Sequence, residues 1–153
     1  MRELFFEAVG DKTTLNEVYR EVVRILRRVR SPNGRLGYVA GIITTDGPEY
    51  IDRNFRILET YTKELQSLSP FPVFSATEIF HPNHRDYLES VFVPDDFYKF
   101  WRSILSSGHV TDVFFAPRWN ESAGALDEHI IAKTIGLSVH YLDPINFDQH
   151  AEI

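Results

Sequence analysis

The sequence predicts an α/β domain built on a mainly parallel sheet. Two observations lead there. Short β-branched, apolar runs alternate along the chain with longer segments whose apolar residues recur at helical spacing. One of those runs, Leu36 to Thr44, is apolar almost throughout, as a strand covered on both faces requires.

Taken in order, Glu3 to Val9 reads as a first strand, ended by Gly10-Asp11. Thr14-Leu15-Asn16-Glu17 fits a capping box, and Leu15, Val18, Val22, Ile25, Leu26 and Val29 follow on one helical face. Ser31-Pro32-Asn33-Gly34 is a turn signal before the Leu36–Thr44 strand. After the loop Thr45-Asp46-Gly47-Pro48, the positions Ile51, Phe55, Leu58, Leu65 and Leu68 mark a second helix, stopped by Ser69-Pro70. Pro72 to Ile79 reads as a third strand, and His81 to Glu89 as irregular chain. Pro94-Asp95-Asp96 starts a helix that turns Phe97, Trp101, Ile104 and Leu105 inward. Val110 to Ala116 is a fourth strand. Ser122 to Ile135 is a fourth helix with Gly136 as its stop, and Leu137 to Leu142 is the last strand. We expect one domain over residues 1–153, with residues 1–34 as an N-terminal strand–helix extension.

Composition narrows the function. At 153 residues the chain can bury a full core without disulfide or metal staples, and it contains no cysteine. That removes a thiol nucleophile and a thiolate metal site. The formal net charge of −6 disfavours general nucleic-acid binding. The first helix carries Arg20, Arg24, Arg27, Arg28 and Arg30, but Glu17 and Glu21 are interleaved at salt-bridging spacing, as on a solvated face. His81-Pro82-Asn83-His84 with Asp86 has metal-ligand residue types but no third histidine or cysteine, so no metal and no cofactor is expected. No apolar run is long enough to span a bilayer, and the N-terminus lacks a basic segment followed by an apolar one. The expectation is a cytoplasmic protein with no membrane partner.

In open parallel sheets, ligands bind beyond the carboxyl ends of the strands. Two such ends carry unusual chemistry here: Ile43-Thr44-Thr45-Asp46-Gly47, and the run from Pro117 through Trp119, Ser122 and Gly124 to Glu128. In the second, a strand runs into a small-residue loop and then a helix. Glu128 falls in the first turns of that helix, where a carboxylate can attack an electrophilic carbon. Glu121 and Asp127 are alternatives, and all three acids also suit a helix N-terminus.

The run Tyr38-Val39-Ala40-Gly41, a long helix, and then Trp119-x-x-Ser122-x-Gly124-x-x-x-Glu128-x-x-x-Ala132 resembles the nucleoside 2-deoxyribosyltransferase superfamily, over roughly Leu36 to Phe147. The resemblance implies a flavodoxin-like three-layer fold with a five-stranded parallel sheet. It implies that Glu128 attacks C1′ of a deoxyribose and that Tyr38 orients Glu128. It also implies that Asp46, Trp119, Ser122, Gly124 and Asn146 line the substrate site. Pro144-Ile145-Asn146 matches a motif whose asparagine reaches into a neighbouring subunit, so a homo-oligomer is expected. The implied partners are deoxynucleosides and free nucleobases. Two departures stand out. Ser122 occupies a position where the transferases often have aspartate, as in the related 2-deoxynucleoside 5-monophosphate N-glycosidases. No acid lies near Phe100 to Ser103 to protonate the leaving base, which leaves Asp46, Asp95 or Asp96 for that task. The acid in the Asp46 loop argues for uncharged nucleosides over nucleotides, with Arg118 as the cation that could reverse this. The expected activity is therefore base exchange. Hydrolysis of a nucleoside monophosphate, a non-catalytic nucleotide-binding module and an arginine-helix nucleic-acid adaptor are the alternatives.

Overall fold

The computed structural model describes residues 1–146; Phe147, at the far end of the family resemblance, lies outside them. Among the described residues there are seven α-helices and four strands; two helices come first, and the other five are interspersed with the strands. The strands are β1 (Gly37–Ala40), β2 (Val73–Ser75), β3 (Asp112–Phe115) and β4 (Ser138–Tyr141). All pair in parallel, in the order β2-β1-β3-β4. The direction of strand addition reverses between β1 and β3. Right-handed crossovers then place the helix after β1 on one face of the sheet and the helices after β2 and β3 on the other.

The side chains follow that rule. α3 (Ile51–Leu68) packs Leu58 and Leu65 on Val39, Val73 and Phe114. The opposite face, with Tyr38, Ala40, Phe74, Val113 and Phe115, is covered by α1 (Arg2–Val9), α2 (Leu15–Val29), α6 (Pro94–Leu105) and α7 (Ala123–Ile135). Alternation along β1 therefore sends Tyr38 to the side of α6 and α7, and Val39 to the side of α3. The amino ends of β1 and β3 are pinned by Asp112, which accepts hydrogen bonds from Arg35 at 2.8 Å and Thr111 at 2.6 Å and lies 2.8 Å from His140 Nε2.

Several sequence expectations need correction. The N-terminal segment forms α1 rather than a strand. Phe5 and Val9, four residues apart, are fully buried while Leu4 is exposed, which is a helical and not an alternating pattern. The N-terminal extension is thus two helices, and the sheet has four strands instead of five among the described residues. The third strand stops at Ser75, whose hydroxyl accepts from the Thr77 amide and caps a single turn, α4 (Ala76–Ile79). The stretch read as irregular is α5 (Pro82–Val91). His81 is its cap, with Nδ1 accepting from the Asn83 amide, and Pro82 occupies the first helical position. His84 points inward, with Nε2 2.7 Å from the Lys12 carbonyl. The histidines of the His-Pro-Asn-His run therefore serve the fold, and no three His, Cys, Asp or Glu side chains among the described residues group as metal ligands.

Other expectations match. Thr14 caps α2 through the Glu17 amide, and Gly136 ends α7 with φ +82°, where a side chain would be strained. Among the described residues no helix is long and apolar enough to cross a membrane. Among the described residues β4 has a neighbour on one side only, and α7 beside it exposes Leu126, Ile130 and Ile135.

Candidate active site

The chain from β3 makes a 3-10 turn at Trp119–Glu121 and enters α7, with Ser122 as its N-cap; the Ser122 hydroxyl accepts from the Ala125 amide at 3.2 Å. The inward face of α7 carries Ala125, Glu128 and Ala132, spaced three and four residues apart. Two alanines flank an acid on a buried face, so the backbone comes close to the sheet and Glu128 is carried inward. It is 8% exposed.

Glu128 meets Tyr38, which β1 sends to the same side. The Tyr38 hydroxyl serves the Glu128 carboxylate as hydrogen-bond donor. Tyr38 is itself fixed between Phe74 and Trp101, with ring centroids at 5.3 and 5.2 Å. The second oxygen of Glu128, Oε2, is buried and has no hydrogen-bond partner among the described residues. An ionised carboxylate in such a place is costly, so burial pushes the Glu128 carboxyl up to about 8. The Tyr38 hydroxyl pulls it back down, and the charge of neighbouring Asp127 adds to the rise. Tyr38 in turn is held well above the ordinary tyrosine range, by burial first and by Glu128 second, so it stays a neutral donor.

The other site residues fall into separate groups. Gly124 lies at the start of α7 under the ring of Tyr98 from α6. Trp119 stacks on His129 at 4.4 Å and 23°, in a cluster with Phe115 and Tyr141 at the β4 edge. Its ring thus already packs against side chains of the fold. Asn146 is exposed in the irregular segment after β4, which meets α3 where the Ile145 amide donates to the Tyr61 hydroxyl at 2.9 Å.

Asp46 spans the point where strand addition reverses. It accepts from both terminal nitrogens of Arg118 (2.7 and 3.2 Å), from Arg53 (2.7 Å) and from Asn54 (3.0 Å). The hydrogen bonds from Arg118 and then Asn54 hold its carboxyl down at about 2, so it cannot protonate a leaving base near neutral pH. Arg118 also grips Glu121, at 3.0 Å. Two carboxylates and two guanidiniums therefore balance here, and the loop charge neither repels nor attracts a phosphate. Arg118 is the one non-glycine among the described residues with positive φ, at 68°. Such strained positions gather at functional loops.

Sequence reasoning missed Arg53, Asn54, Tyr98, Trp101 and Arg102. Arg53 and Asn54 lie seven and eight residues from Asp46, on a helix whose apolar face alone was read, and the aromatic neighbours of Tyr38 are far away in sequence. Arg102 on α6 forms a two-point pair with Asp127, at 2.5 and 2.8 Å, one residue before Glu128. Two surface hollows, of about 400 and 310 Å³, lie at Arg2, Gln66 and Glu78 and between α2 and α6; Glu128 lines neither. Set against known protein families, curated proteins and solved structures, the chain matches none of them.

Proposed function

We propose that this chain is an N-deoxyribosyltransferase of flavodoxin-like type, which exchanges the base of 2′-deoxynucleosides through a glycosyl ester on Glu128. The observation that carries this reading is the buried Glu128 carboxylate, which takes a hydrogen bond from Tyr38 while its Oε2 has no partner among the described residues. Most buried side-chain polar atoms find a partner, so a buried carboxylate oxygen without one calls for an explanation. A nucleophile needs one lone pair held for the reacting carbon.

In the first step Oε2 bonds to C1′ as the C1′–N bond breaks, and its electrons leave with the base, which takes up a proton. In the second, a new base nitrogen bonds to C1′, displaces the carboxylate and loses a proton. Two inversions retain configuration. Negative charge on the Glu128 carboxylate stabilises the cationic character at C1′ in the transition state of each step. The missing 2′-hydroxyl makes that cation easier to form, which suits a deoxyribose. Tyr38 orients the nucleophile, while Ser122 and Gly124 border the same helix start. Trp119 flanks the site. Asp46 shapes its loop, and Asp95 and Asp96 remain the acids for base protonation.

Incubating each 2′-deoxynucleoside with a free base of a different kind tests the reading. New nucleoside is the expected product. Release of free deoxyribose alone would instead mean hydrolysis, and a deoxynucleoside monophosphate as the only substrate would identify the N-glycosidase alternative. The enclosure of Glu128, away from both hollows, favours a second reading as a binding module without turnover. Ligand binding without base release would establish it.

We also propose a homo-oligomer in which Asn146 reaches the site of a second copy. The edge of β4, unpaired among the described residues, and the exposed aliphatics of α7 support such a contact. Sedimentation at assay concentration checks it: a monomer with full activity overturns it.

A further inference from the structure

We propose that Arg102 is a positioning residue that acts on Glu128 through Asp127, fixing α7 against α6 and partly offsetting the charge that stands next to the reactive side chain. The proposal rests on the reading of Glu128 as nucleophile.

Three observations support it. The Arg102–Asp127 contact is a planar two-point pair, the strongest geometry open to a guanidinium and a carboxylate. It joins the two helices that carry the walls of the site: α6 with Trp101 and Tyr98, and α7 with Glu128. Asp127 is the residue immediately before Glu128, so its carboxylate cannot be moved far from it. An uncompensated anion at that position would disfavour ionisation of Glu128, and a nucleophile must be ionised.

The charged and titratable groups around α7 leave this task to Arg102. From β1 comes Tyr38, a neutral donor. From α6 come Arg102 and Tyr98, with Asp95 acting on Arg102 from the same helix. From the turn before α7 comes Glu121, which is gripped by Arg118. On α7 itself His129 turns towards Trp119 and Tyr141, and Lys133 acts on His129. β4 contributes Tyr141, bound to His129, and His140, bound to Asp112.

The experiment reads the ionisation of Glu128 directly, without substrate. For each chain, unfolding free energy is measured against pH with and without Glu128→Gln, and the difference gives the midpoint. Arg102→Gln should move the midpoint up, by about one pH unit or less because its guanidinium is half-exposed. Asp127→Asn should move it down by a similar amount, and the double variant should return close to the parent. Arg102→Lys should hold the midpoint near the parent's despite the lost fork, which a purely structural role would not allow. Shifts of both single variants in the same direction, or no shift with Arg102→Gln, overturn the proposal. The low-pH limb of base exchange should move with the midpoint. Midpoints that move as expected in chains without exchange activity uphold the coupling and sink the nucleophile reading alone.

Discussion

Glu128→Gln should lower the rate of base exchange by about a thousandfold or more, because no neighbouring group can replace the carbon–oxygen bond it forms. The amide keeps the shape of the side chain and can still accept from Tyr38, so deoxynucleoside affinity should change little. Initial rates by chromatography and binding by calorimetry separate the two quantities. The parent should also show a strong pH dependence. The reactive form is the carboxylate, and burial pushes its protonation up to about 8. The ionised fraction of the empty site is then about one tenth at pH 7, and kcat/KM should climb nearly tenfold per unit below that point. A flat profile between pH 6 and 8, or an active Glu128→Gln chain, removes Glu128 from the chemistry.

The same substitution should make the fold more stable in alkaline solution. Glu128 has an ordinary value of 4.5 and is held at about 8 in the folded chain. The folded state therefore binds this proton more tightly than the unfolded state. Its contribution is fully present below pH 4.5 and is lost as pH rises through 8. The loss amounts to at most about 5 kcal/mol across that window. Glutamine carries no such dependence, so the two chains should be of similar stability near pH 4.5 and diverge steadily above it. Urea unfolding at pH 5 and pH 9 checks this, and parallel curves would mean that Glu128 is hydrated in the folded chain. Together the two results would describe an acid kept at the expense of stability, as reactive groups often are.

What could be read in advance follows the range of the forces involved. α2, α3, α6 and α7 were legible because their apolar spacing, caps and stops are local. β1 was legible because a continuous apolar run fits a strand covered on both sides. α1 was not, since Leu4-Phe5-Phe6 is too short for its period to be distinguished, and the packing of Phe5 and Val9 decided it. α5 was missed because its cap is a histidine, an unusual capping residue, followed by proline. In the site, Glu128 was named from its place at a helix start and from a family resemblance, and Tyr38 from the resemblance; the fold brings them together from β1 and from the helix that follows its neighbour β3. The arginine partners of Asp46 and Asp127 depend on loops and helices meeting in space, which no spacing rule encodes.

Arg118 bears on how the mouth of the sheet moves. A glycine would occupy its left-handed backbone conformation with less strain, by about 1 kcal/mol. The arginine instead laces the loop after β1 to the turn that leads into α7. Those two segments are thereby tethered to each other and should move as a unit.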